Sequence, residues 1–198
     1  MEQSDEGALL ALLATDVDGY YPRLMAAYAH RLYNFILNKT RDQHDAEDIL
    51  QDALLRALYY LRGYSAQRIC ALKLRPWLYK ITYNVYLNYV ERYKPPPSVW
   101  LDTSEDGPYL ELEDEQSEQP DMVVEMAEHR RELESLVDML PQSSREAIRL
   151  HYFEDFSYDE IADVLNQKNG TVRVNVHRGL RMLRQTLEKK RSEGYNGA

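Results

Sequence analysis

Residues Ser157 to Leu187, SYDEIADVLNQKNGTVRVNVHRGLRMLRQTL, decide how the chain is read. Ser157 followed by Glu160 has the spacing of a capping box, in which the hydroxyl accepts an orphan backbone N–H and the carboxylate reaches back to the cap. A short helix therefore starts here, with Ile161, Ala162 and Leu165 on one side. Asn166 suits the left-handed conformation that closes a helix, and Gln167 to Asn169 supply a turn. From Gly170 onward, Val172, Val176, Gly179, Leu180, Leu183 and Leu187 recur at steps of three and four, which predicts a second helix with one buried face. Its other face is expected to carry Arg173, Asn175, His177, Arg178 and Arg181.

Two helices joined by a turn of about four residues form a helix-turn-helix, whose second helix can enter a DNA major groove. The side chains suit that role, since guanidinium reads guanine bidentately, amide reads adenine, and either can hold phosphate. Between Val164 and Arg191, Lys168, Arg173, Arg178, Arg181, Arg184, Lys189 and Lys190 meet a single acid, Glu188. The same pattern would also serve a solvated face on a core helix. The pairing of two helices with this basic charge favours DNA.

Composition sets the outer bounds. The chain has 198 residues, 44% of them apolar, enough for one domain or two small ones with real cores. A lone Cys70 excludes an internal disulfide or a cysteine zinc cluster and fits a reducing compartment. No apolar run approaches a membrane span, and the acidic N-terminus lacks the basic start of a signal peptide, so a cytoplasmic protein with no membrane insertion is expected. The net charge of -9 looks wrong for a DNA binder until it is divided. Residues 1–94 hold 12 bases and 11 acids, residues 128–198 hold 12 of each, and residues 95–127 hold ten acids and no base. The acidity therefore lies in one segment. His30, His44, His129, His151 and His177 have no metal-ligand spacing, and neither a phosphate-cradling glycine loop nor a nucleophile motif occurs. No enzyme, metal or cofactor is expected.

Along the chain, residues 1–15 read as an ill-fixed arm or a short helix. Tyr21, Leu24, Tyr28, Leu32, Phe35 and Ile36 form a helical stripe that breaks near Lys39 to His44. Asp45 is placed to cap the next helix, buried through Ala46, Ile49, Leu50, Ala53, Leu54, Ala57, Leu58 and Leu61, with Glu47, Asp48, Gln51, Asp52 and Arg56 outward. That acidic face suits a basic partner or plain solvation. A basic loop, Arg62 to Arg75, ends at Pro76, which favours a helix start. The following helix carries Leu78, Ile81 and Val85 on one face and Tyr79, Tyr83, Tyr86, Val90 and Tyr93 beside it. Rings next to Lys80, Asn84, Asn88 and Arg92 could stack unpaired bases; packing against the preceding helix is the competing reading, and pattern alone favours it. Pro95-Pro96-Pro97 stops this helix, and an acidic linker follows. Helix resumes at Asp121 with Val123, Met126, Leu133, Leu136, Val137 and Leu140 inward, and Ser143 with Glu146 suggests a further capping box.

Taken together, AEDILQDALLRAL (Ala46 to Leu58), RPWLYKITYNVYLNYVERYK (Arg75 to Lys94) and LPQSSREAIRLHYFEDFSYDEIADVLNQKNGTVRVNVHRGLRML (Leu140 to Leu183) resemble the core-binding helix, the promoter-melting helix and the fourth region of bacterial sigma-70 family factors. With no room for another domain between them, the chain is similar to the compact extracytoplasmic-function (ECF) group. The resemblance implies an all-α protein of two small helical domains joined by an acidic flexible linker. On that reading an arm occupies 1–15, the region 2 domain 16–94, the linker 95–120, the region 4 domain 121–190 and a tail 191–198. It also implies a factor that binds core RNA polymerase and directs promoter-specific initiation, with promoter DNA as a second partner and an anti-sigma factor as a third.

Position by position, Ala46, Glu47, Asp48, Leu50, Gln51 and Leu55 match the polymerase-contacting surface, with Asp52 beside them. Arg68, Lys73, Trp77, Lys80, Tyr83, Asn84, Tyr86, Asn88 and Arg92 are the expected contacts to the melted minus-ten strand. Lys168, Thr171, Arg173, Asn175, His177, Arg178 and Arg181 are the expected contacts to the minus-thirty-five duplex. Asn88, Gln167 and Val174-Asn175 depart from the family pattern, which bears on promoter preference. The linker's carboxylates could stand in for phosphates in a nucleic-acid path or serve as a solvated tether. A helix-turn-helix regulator acting apart from polymerase is the alternative, but it leaves the acidic-faced and tyrosine-rich helices unused.

Overall fold

In a computed structural model of the chain, which describes residues 3–93 and 133–195, every described element is helical. The elements are α1 (Gln3–Thr15), α2 (Val17–Thr40), α3 (Gln43–Gly63), α4 (Ala66–Cys70), α5 (Leu74–Tyr93), α6 (133–138), α7 (Gln142–Ile148) running into a π-helical turn (Arg149–Phe153), α8 (Tyr158–Val164) and α9 (Asn169–Tyr195). The expected linker and the helix start at Asp121 lie outside the described residues.

Local chemistry accounts for most boundaries. Asp16 caps α2 by accepting the Gly19 N–H, and Arg41, left-handed at φ 54°, ends it by donating its N–H to the Leu37 carbonyl. Asp42, not Asp45, caps α3, taking the Asp45 N–H at 3.0 Å. Asp45 is thereby released to accept from the Tyr89 hydroxyl. Helix α5 begins at Leu74, two residues before Pro76, and its first N–H donates to Glu6 of α1 at 2.9 Å. Pro76 still falls in the first turn, where its missing N–H costs no helical bond.

The described helices form two compact units, one comprising residues 3–93 with Phe156–Lys168 and the other 133–155 with 169–195. In the first, α2, α3 and α5 enclose Leu24, Tyr28, Leu32, Ile36, Ile49, Leu61, Leu74, Leu78 and Tyr79. The stretch before residue 16 is a packed helix: α1 buries Leu9, Leu10 and Leu13 and lies against α2 and α4. In the second unit, Val137, Leu140 and Ile148 form a core joined by Phe153, Leu180, Met182 and Leu183. Leu133, expected inward, is exposed. The expected Ser143–Glu146 box is absent, since α7 starts two residues earlier than that box would place it, and Gln142 donates its side-chain amide to Glu146. Gly179 seats α9 on α7, because a Cβ there would lie 2.5 Å from Ile148 Cδ1 and 3.2 Å from Ser144 Cβ.

Candidate functional site

Helix α3 turns Ala46, Ile49, Ala53, Leu54, Ala57 and Leu61 inward, which leaves Glu47, Asp48, Gln51 and Leu55 exposed. Ala46 belongs to the buried stripe, as its periodicity predicts, so of the positions that match the polymerase-contacting surface it is one whose side chain faces inward. Leu50 is half-buried for the same reason. Asp52 is half-buried and its carboxylate accepts both Nε (3.1 Å) and an Nη (2.9 Å) of Arg56, so this charge is already matched within the helix. Leu55 is 60% and Tyr59 76% exposed, one turn apart, so an apolar strip runs alongside the acids. An exposed leucine and tyrosine on one face are the anchor type that protein interfaces bury.

Helix α5 presents a different surface. Arg68 lies 3.7 Å over the Tyr64 ring, and Trp77 is half-buried with its ring 6.1 Å from that tyrosine. Lys73 donates to Glu160 at 2.8 Å and Lys80 to Asp163 at 2.6 Å, while Asn166 donates its amide to Asn84 Oδ1 at 3.0 Å. All three of these expected strand-binding residues are therefore engaged by side chains of α8 and the turn after it, within the same unit. Burial raises the Glu160 carboxyl, but the Lys73 ammonium and the Ser157 N–H and hydroxyl outweigh it and hold the group below its usual range. Asn88 and Arg92 are exposed.

Tyr83 and Tyr86 are buried and stacked on each other, centroids 6.1 Å apart. Phe35 closes on Tyr83, and the Lys39 ammonium sits over the rings of Phe35, Tyr83 and Tyr86 at 4.8, 4.9 and 5.7 Å. Their faces are thus occupied by packing, the competing reading of the tyrosine stripe, and neither ring is open to a base here. Tyr89, at the solvent side, has its phenol pushed up to about 12 by its hydrogen bond to Asp45, with lesser help from burial.

The capping box appears as expected: the Glu160 N–H donates to Ser157 Oγ at 3.3 Å and the Ser157 N–H to Glu160 Oε2 at 3.0 Å. Asn166 adopts φ 52° after α8. Lys168 in the turn is exposed. On α9, Thr171, Arg173, His177, Arg178 and Arg181 are exposed. Arg173 donates Nε to Asn169 Oδ1 at 2.7 Å, which braces the first turn. Asn175, expected outward, is buried at 7% exposure, while its neighbour Val174 is 56% exposed. The difference is one step of helix rotation: Val172, Val176 and Gly179 define the inward side, and Asn175 lies on its edge.

Two family models match this chain, sigma-70 region 2 over residues 24–95 and sigma-70 region 4 over residues 130–183. It is 32% identical over 202 residues to the ECF RNA polymerase sigma factor SigE of Mycolicibacterium smegmatis, covering 100% of this chain and 75% of that one. This chain belongs to the ECF group of the sigma-70 family. The RNA polymerase sigma-H factor of Pseudomonas aeruginosa is 31% identical over 173 residues, covering 83% of this sigma factor and 84% of that protein. The fold is also that of the sigma factor RpoE solved in complex with the anti-sigma factor NepR from Bartonella quintana, with a TM-score of 0.55 at 19% identity over 85% of this chain and 96% of that one.

In this sigma factor the region 2 match takes in α3, α4 and α5 and most of α2, whereas α1 precedes it. Sequence reasoning missed Glu6 as the cap of α5 and Lys39 as the centre of the ring cluster, both being partnerships across tens of residues. It also missed Tyr59, although its spacing from Leu55 was a usable signal. Among the described residues no helix is long and apolar enough to cross a membrane, and no His, Cys, Asp and Glu group could hold a metal ion.

Proposed function

We propose that this sigma factor docks on core RNA polymerase through Glu47, Asp48, Gln51 and Leu55 of α3, reads the minus-thirty-five duplex with α9, and engages the melted minus-ten strand along α5. The observation that carries the reading is the exposed Leu55–Tyr59 strip beside exposed carboxylates, a surface with no role in the fold itself. Thr171, Arg178 and Arg181 supply donors for phosphate and base edges on the opposite side of α9 from its core. On α5, Asn88 and Arg92 are the exposed candidates and Trp77 is half-buried. Lys73, just before the helix, is exposed but ion-paired to Glu160, and it, Lys80 and Asn84 are free to meet the strand once their bonds to the α8 segment are given up. The sigma-70 regions so assigned are 16–94 and 121–190. The phosphodiester chemistry belongs to polymerase, so the chain works by binding and positioning, in the cell interior with the enzyme. A protein partner of the anti-sigma type fits the complex in which the Bartonella relative was solved.

The test separates the surfaces. Leu55→Ala with Gln51→Ala should weaken association with purified core polymerase at least tenfold and leave the thermal transition of the chain unchanged, because both side chains are exposed. Core binding at wild-type strength would overturn the assignment of α3.

A further inference from the structure

We infer that Val174 reads the 5-methyl group of a thymine in the duplex that α9 engages, which makes it a specificity-determining residue. This rests on the reading of α9 as the base-reading helix. A lone exposed valine elsewhere needs no explanation, but its position here is particular. At about 100° of rotation per residue, Val174 lies about 160° from both Val172 and Val176 and about 140° from Gly179. Those three are the buried side of α9, with Val172 fully covered and Gly179 pressed on Ile148. Val174 therefore marks the middle of the exposed arc. On the same rotation Arg181, Arg178 and Thr171 lie about 20°, 40° and 60° from it.

The site is thus an apolar side chain framed by donors, in the second turn of a helix that starts at Asn169. The N-terminal turns of a recognition helix are those that reach base edges, while flanking arginines take phosphate or guanine. Thymine is the base that shows a methyl group in the major groove, and a branched aliphatic side chain can cover it. An amide at the adjacent position would have favoured adenine, but Asn175 is turned inward and does not offer that chemistry.

The experiment uses the full chain bound to core polymerase. A duplex pool randomised over the minus-thirty-five segment is selected for binding, and each thymine of the recovered sequence is then replaced singly by uracil, which removes the methyl group alone. One uracil substitution should weaken binding roughly fourfold, equivalent to about 0.8 kcal/mol for one buried carbon. Val174→Ala should bind the thymine and uracil duplexes alike, whereas Thr171→Ser should retain the uracil penalty. If a sequence is selected and Arg178→Ala weakens its binding, yet no uracil position matters or Val174→Ala keeps the penalty, the inference is overturned and the role of α9 stands. A pool that emerges unselected overturns the base-reading role of α9 and the inference with it.

Discussion

Replacing Gly179 with alanine tests whether the seating of α9 is set by close approach to α7. The added Cβ would lie 2.5 Å from Ile148 Cδ1. Carbon atoms settle at about 3.5–4.0 Å, so the overlap is on the order of 1 Å. Ile148 is 2% exposed and packs with Val137 and Leu140, so its terminal methyl has little room to swing. Overpacking of this kind costs about 1–3 kcal/mol. Alanine recovers about 0.8–1.0 kcal/mol of that, being the better helix former. The net expectation is a loss of about 1 kcal/mol, read as reduced amide hydrogen-exchange protection in α7 and the first half of α9. Ile148→Val removes the clashing Cδ1 and by itself costs roughly 0.5–1.5 kcal/mol. The double variant should then be more stable than the sum of the two singles by on the order of 1 kcal/mol, since each change relieves the other. Additivity to within about 0.3 kcal/mol would refute the close-approach account.

Arg178→Ala should weaken duplex binding and flatten its salt dependence by about 0.9 in the log–log slope for each phosphate the side chain no longer neutralises, measured by titration at several salt concentrations; an unchanged slope would deny that the guanidinium meets phosphate. Glu6→Ala should lower the stability of the first unit by about 0.5–2 kcal/mol, the range for removing a helix cap, with the loss of exchange protection concentrated at the start of α5. Tyr21 is buried, its hydroxyl donates to the Leu54 carbonyl, and burial pushes the phenol up to about 12. A folded-state value above the ordinary 10 means that its contribution is complete below pH 10 and is lost as pH rises towards 12. Tyr21→Phe should therefore shallow the alkaline fall in stability, followed by urea titration across that range, at a cost near neutrality of about 1 kcal/mol for the hydrogen bond.

How far the sequence could be read depended on how local each determinant was. Ser157 and Glu160 stand three residues apart and close their box in the fold, and Asn166 takes the left-handed turn expected of it. Ser143 and Glu146 have the same spacing but form no box, because α7 begins at Gln142 and Glu146 is drawn into burial beside that amide. Which way α9 faces was legible only to within one residue. The periodicity of Val172, Val176 and Leu183 identified a buried side, but the packing of Gly179 on Ile148 sets the rotation that hides Asn175 and shows Val174. On α5 the sequence pattern favoured packing of Tyr83 and Tyr86 over contact with bases but could not name Phe35 and Lys39 of α2 as the partners. The engagement of Lys73, Lys80 and Asn84 by the α8 segment, more than 80 residues later, had no local signature at all.

Run-off transcription on fragmented genomic DNA, with purified core polymerase in the presence and absence of this chain, reaches the central claim most directly. The predicted result is a set of transcripts that depend on the chain, start at discrete positions, share a two-part upstream sequence, and vanish when Leu55 and Gln51 are replaced together. A correctly folded chain that binds DNA but yields no start site beyond those of core polymerase alone would contradict that claim.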